Sequence, residues 1–152
     1  MQEGVLGGFP VADVRAAVYD GSFHAVDSSE VAFKIAGSMA FKKAMEAAHP
    51  VLLEPLMMVG IEVPTDTVGA VMGDLNARRG RIVSVKADDH AEQIQAQVPL
   101  AELLKYAPVL NALTGGRGQY AMEFSRYEEV PHELAGKIID EHKGARHSVA
   151  VH

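Results

Sequence analysis

The stretch MMVGIEVPTDTVGAVMGDLNARRGRI, residues 57–82, decides the fold. Met57, Val59, Ile61 and Val63 alternate with Met58, Gly60 and Glu62, the period of a strand, and Pro64 ends the run. Val68, Val71, Met72 and Leu75 then recur at i, i+3, i+4 and i+7, one face of a helix. Gly80 is placed to close that helix as its C-cap. From Ile82 to Ala87 the period returns to that of a strand.

The same alternation continues on both sides. Asp88-Asp89-His90 reads as a short turn. Ile94, Ala96 and Val98 alternate with Gln93, Gln95 and Gln97, a half-buried strand with a polar outer face. Pro99 opens a second helix, with Leu100, Leu103, Leu104 and Ala107 at helical spacing, and Pro108 breaks or restarts it. Tyr120, Met122 and Phe124 alternate on a fourth strand. The order over residues 51–127 is β-α-β-β-α-β, the split-βαβ or ferredoxin-like arrangement, with helices at about 66–79 and 99–113 covering one face of an antiparallel sheet. A last helix spans about 131–142, and the tail KGARHSVAVH reads as frayed.

Upstream, FPVADVRAAVY (9–19) has the β-branched and aromatic content of a strand. Asp20-Gly21 is a turn pair. Asp27 and Glu30 form a capping-box-like start for a helix from about Ser28 to His49, which Pro50 ends. Three parts follow: 1–49, 50–128 and 129–152. The fold class is α+β.

The chain has 152 residues, 48% of them hydrophobic, so it has the material for a packed core and is not a disordered chain. It has no cysteine, which excludes disulfides, thiolate metal sites and a cysteine nucleophile. No apolar run approaches a membrane span, and MQEGVLGGFP is not a signal peptide. These features fit a cytoplasmic protein. A net charge of −6 argues against nucleic-acid binding through the overall field, while leaving room for a local basic patch.

Chemical motifs are few. There is no GxxxxGK[ST] loop, and Gly115-Gly116-Arg117-Gly118 lacks dinucleotide-site spacing and reads as a turn. His132-Glu133 lacks a histidine four positions after His132, so it reads as a helix start. His142, His147 and His152 recur every five residues on what reads as a solvated tail. No carboxylate pair is fixed by local spacing. No catalytic, cofactor or metal residue is expected. Two features remain. Arg78, Arg79 and Arg81 surround a helix end, where they serve either the macrodipole or a phosphate. The loop Gly21-Ser22-Phe23-His24 sits at a strand-to-helix reversal, where His24 is either an idle surface residue or an RNA contact.

Beyond these physical readings, YDGSFHAVDSSEVAFKIAGSMAFKKA resembles the second half of domain IV of elongation factor G. VLLEPLMMVGIEVP, GAVMGDLNARRGRI and VPLAELLKYAPVLNALTGGRGQYAMEFSRYEEVP resemble its domain V, in order, so that about residues 8–140 are covered. The resemblance implies a partial domain IV (ribosomal protein S5 domain 2-like), then domain V. It implies a C-terminal part of a ribosome-dependent GTPase that moves tRNA and mRNA and helps recycle ribosomes. GTP and Mg would belong to a GTPase domain outside this sequence. It places Gly21, Ser22, Phe23 and His24 at the tip that reaches the decoding site. It also raises Arg78, Arg79, Arg81 and Arg117 as ribosomal RNA contacts. Ala25 stands where the family usually has an acid, and Gly115 where it usually has glutamine. Pro108 and the tail after Asp140 are also unusual. A paralogue that recycles ribosomes, a tetracycline-protection factor and an autonomous ferredoxin-like regulatory domain are the alternatives. With part of domain IV missing, residues 5–49 are expected to be mobile or to associate with a second copy through an uncovered edge.

Overall fold

In a computed structural model of the chain, the residues described are 3–88 and 91–149. Asp89 and His90 of the expected turn, and His152 of the histidine series, lie outside them. The chain divides into two compact units. One is residues 53–129; the other joins residues 1–52 to 130–152.

The unit 53–129 is the four-stranded sheet with its helices. In chain order it has β1 (Leu53–Val63), a 3-10 turn (Thr65–Thr67), α2 (Val68–Ala77), β2 (Arg81–Ala87), β3 (Glu92–Pro99), α3 (Leu100–Leu103), α4 (Tyr106–Thr114) and β4 (Gln119–Glu129); α1 lies upstream, at Glu30–Ala47. The strand order is β2-β3-β1-β4, and every neighbouring pair is antiparallel. This is the ferredoxin-like order expected from the alternation. Val59 pairs with Ala96 and Ile61 with Ile94, so these side chains share one face. Val71 and Leu75 of α2, with Leu103, Tyr106 and Leu110 of α3 and α4, pack on that face in one buried cluster. Both crossovers therefore lie on one side of the sheet, and the glutamines of β3 are left on the other.

The helix expected over 99–113 is two helices. Pro108 has no N–H, and its ring clashes with the carbonyl four residues back, at Leu104. The chain therefore ends α3 at Leu103 and restarts at Tyr106. The α2 terminus also differs from expectation. Arg79, at φ +58°, takes the left-handed position, and Gly80 follows it. The Gly80 N–H donates to Leu75 O at 2.8 Å and the Arg79 N–H to Asn76 O at 3.2 Å, the paired bonds of a Schellman stop. Gly80 is needed for proximity: a Cβ there would lie 2.5 Å from Leu75 O.

In the other unit, α1 starts slightly later than the expected cap. Ser29, not Asp27, is the N-cap, and its hydroxyl accepts from the Ala32 N–H at 3.1 Å. Residues 9–19 form no strand. Strand-like composition is not enough: a strand exists only with a hydrogen-bonded neighbour, and no ladder reaches this segment. The C-terminal helix α5 runs His132–Val149, well past the expected end near His142, so much of the expected tail is helical. Its His142 places Nδ1 2.9 Å from Gly7 O, and the Phe9 ring stacks on the imidazole at 3.9 Å. Among the described residues no helix is long and apolar enough to cross a membrane.

Candidate nucleic-acid interface

The reversal before α1 is a tight, self-braced turn. The His24 N–H donates to Ser28 Oγ at 2.8 Å, and the Ser28 N–H returns a bond to His24 O at 2.9 Å. One step earlier, Asp20 Oδ1 accepts from the Gly21 N–H at 2.8 Å. Local side chains thus satisfy the backbone that no strand partner serves. Gly21, Ser22, Phe23 and His24 are all exposed. The Phe23 ring lies parallel to Phe33 of α1, 6.3 Å away, and remains 68% exposed. No hydrogen-bond partner of the His24 imidazole is found among the described residues. The turn leaves both an aromatic ring and an imidazole exposed. Such a pair stacks on or hydrogen-bonds to a base edge.

The arginines sort into two kinds. Arg78 turns back: its Nε donates to Asp74 Oδ2 at 2.7 Å and its Nη1 to Glu102 O at 2.9 Å. Its guanidinium also lies 5.3 Å from the centre of the Tyr106 ring. That ring is fully buried, and burial pushes its hydroxyl up to about 12. Arg79 makes a fork to Glu54, at 2.6 and 3.0 Å, and reaches Glu102 at 3.2 Å. Arg117 makes a fork to Asp66, with its closer contact at 3.0 Å, and donates from Nε to Thr114 O at 3.0 Å. The Arg117 guanidinium holds the Asp66 carboxyl below the usual carboxylate range. These three bind the α2 end, the α4 end and the 3-10 turn to their neighbours.

Arg81 is different. It lies on the uncovered face of the sheet, with its side chain 62% exposed, and its contacts to Gln97 and Glu128 are long, 3.3 and 3.5 Å. Arg126 of β4 joins it there. Its Nη2 reaches the same Gln97 and Glu128 oxygens at 3.4 Å. The sequence periodicity conceals Arg126, because continuing the Tyr120, Met122, Phe124 series would put it on the covered face. A register shift between β1 and β4 at Leu56/Met57 leaves Ser125 as the extra residue and turns Arg126 over. Of the arginines expected at RNA, Arg81 and Arg117 keep exposed side chains, 62% and 55%, and Arg126 on the sheet is 46% exposed. Arg78 and Arg79 are committed within the unit.

The Gly115-Gly116 run is a helix stop. Gly115 has φ +61°, and the Gly116 N–H donates to Asn111 O at 2.9 Å. Among the described residues no three histidine or carboxylate side chains gather as a metal site.

Known proteins match this chain along its length. The family model for the elongation factor G C-terminus matches residues 51–138, and that for elongation factor G, domain IV, matches residues 1–49. An elongation factor G from Aquifex pyrophilus is 52% identical over 148 residues, which are 97% of this chain and 21% of that protein. A crystal structure from Thermus thermophilus matches at a TM-score of 0.80 and 52% identity, covering 93% of this chain and 21% of that one. The chain thus spans well under two thirds of the length of the relatives it matches.

Proposed function

Because the chain belongs to the elongation factor G family, we propose that it serves as the ribosome-engaging part of a translational GTPase that moves tRNA and mRNA. The observation that carries this reading is the match of both regions in order, domain IV over 1–49 and the C-terminus over 51–138. The turn at Gly21–His24 is the part that reaches the decoding region. Its exposed ring and imidazole suit unstacked bases. On the sheet, Arg81 and Arg126 supply an outward charge for a ribosomal RNA phosphate.

In this reading the chain is itself a binding module and not an enzyme. It works in the cytoplasm, and GTP and Mg bind elsewhere in the protein that carries it. No glycine-rich loop with a lysine is present to cradle a triphosphate. Isothermal titration of the chain with GTP and Mg is expected to be flat, and micromolar binding would refute that. The apolar surface of α1 is the part through which separate chains would associate.

The test is a chimera in which this chain replaces the matching span of the Aquifex pyrophilus elongation factor G. It should support ribosome-dependent movement of tRNA and mRNA. His24→Ala should leave the chain's stability within about 0.5 kcal/mol, as at other surface sites. It should slow movement by about tenfold, the loss of one transition-state contact. An unchanged rate removes the tip role.

A further inference from the structure

The sheet ends in two edge strands, β2 and β4, and each carries a bulge. On β4 the extra residue is Ser125; on β2 the register shifts between Ile82 and Ser84, which makes Val83 the extra one. An extra residue reverses the alternation of faces for everything beyond it. Before Ser125, Met122 and Phe124 lie on the helix side of the sheet and Glu123 on the side away from the helices. Beyond it, Arg126 lies away from the helices with Gln97, and the Tyr127 ring returns to Phe124, 5.2 Å between centres. Met122, Phe124 and Tyr127 are all exposed, and among the described residues no strand pairs with the outer edge of β4.

We propose that β4 is a self-pairing strand. Two copies of this chain join antiparallel along it, about a two-fold axis between Phe124 and Ser125, and their two four-stranded sheets become one of eight. The pairing uses only the sheet unit and stands independently of the ribosomal reading.

The bulge selects the register. Residues directly opposite each other in an antiparallel pair point to the same face. With one bulge in each copy, the faces match along the whole overlap only where each residue before Ser125 meets one beyond it. That sets Glu123 opposite the partner's Arg126 and Met122 opposite the partner's Tyr127. At the axis Phe124 meets the partner's Ser125, so the two extra residues cancel. Charge favours the same register. Glu123 has no ion pair among the described residues, and Arg126 has a single long one, to Glu128 at 3.4 Å. Symmetry repeats each contact, so two opposite-charge pairs and two apolar pairs close the seam.

The same construction on β2 is self-repelling. Its bulge at Val83 sets Arg81 opposite the partner's Lys86, both on the side away from the helices, and the strand carries no acid. Like charges directly opposite each other destabilise a pair. The strand is also shorter, seven residues against eleven in β4. By charge and length β2 is guarded against a second copy, and β4 is complementary to one.

The experiment is sedimentation equilibrium of the whole chain over a rising concentration series. The mass should reach twice that of the chain and stop there. Glu123→Arg sets two cations opposite each other and Arg126→Glu two anions, and each should weaken self-association by about tenfold. An equimolar mixture of the two variants recreates both opposite-charge pairs and should associate as the parent chain does. Glu123→Lys and Arg126→Asp serve the same purpose if either variant does not fold. A peptide of residues 119–129 should compete with the pairing, and the same peptide with its Glu123 and Arg126 positions exchanged should not. A chain that stays monomeric overturns the inference, as does a mixture of variants that fails to associate. Mass growing beyond the dimer means head-to-tail contacts and overturns it too. A dimer lost in Ile35→Glu and kept in both β4 variants places the contact on α1 and overturns it as well. Equal competition by the two peptides means an edge open to any extended segment, which removes the two-fold contact.

Discussion

Two helices of nearly opposite circumstances lie in this chain. The ten-residue α2 buries Val71 and Leu75 completely against the sheet. The eighteen-residue α1 buries only Met45 and leaves Val31 65%, Ile35 56% and Met39 67% exposed. Composition does not explain the difference, since α1 also carries many Ala, Val, Ile, Met and Phe side chains among its charged ones. What differs is the facing surface. The sheet of residues 53–129 offers α2 a complete apolar floor, and no sheet forms beside α1 because residues 9–19 find no partner strand. A pattern in the sequence states what would be buried; burial happens only where a second surface is supplied.

The contrast is broken most directly by truncating both helices at equivalent apolar positions. Leu75→Ala should cost about 3 kcal/mol, the transfer loss plus a cavity in a filled core. Ile35→Ala should cost less than about 0.5 kcal/mol. Urea midpoints of the two variants measure it, and equal losses would mean that α1 is covered in solution, for instance by a second copy.

A smaller effect tests how the covered helix ends. In Gly80→Ala the new Cβ would meet the Leu75 carbonyl at 2.5 Å, and backbone has to move. The cost should be about 1–2 kcal/mol, above the ordinary gain from replacing a glycine. Thermal unfolding of the 53–129 unit reports it. An unchanged midpoint would show that the turn relaxes freely.

The smallest effect sharpens the comparison from the other side. With little packing to hold it, α1 depends on local devices: the Ser29 cap and the Glu30–Lys34 pair at 2.6 Å. By contrast, α2 has no side-chain cap at its start. Ser29→Ala should destabilise the first turn of α1 by about 1 kcal/mol. Hydrogen exchange at the Ala32 and Phe33 amides should quicken, with no change in the sheet. Exchange quickening in both units would mean that they unfold as one.

What is legible in the sequence follows the same division. The β-α-β-β-α-β order is readable because each element there carries its own period and each finds its complement. The failures have separate physical causes. Residues 9–19 have strand composition, but pairing is a property of two segments. Pro108 announces a break, yet its position four residues after Leu104 is needed to place it. The destinations of Arg78 and Arg79 are hidden because Glu54 and Glu102 are more than twenty positions away in sequence. Arg126 is hidden by a single extra residue in β4. The exposed turn at Gly21–His24 is found from local signals alone, because local hydrogen bonds are what hold it.

The pairing of Leu53 with Glu129 has a mechanical consequence. The first and last residues of the sheet unit are opposite each other, so the chain enters and leaves through one narrow neck. Just outside it, the Val130 N–H donates to Leu52 O at 2.9 Å, closing the neck like a clasp. The sheet unit is therefore topologically a closed loop on the chain, removable by joining residue 52 to residue 130 without crossing another segment. Tension applied to residues 52 and 130 would peel β1 from β4 one hydrogen bond at a time instead of shearing the whole sheet at once. The neck is the weak fuse of the unit, and a force transmitted along the chain is felt there first.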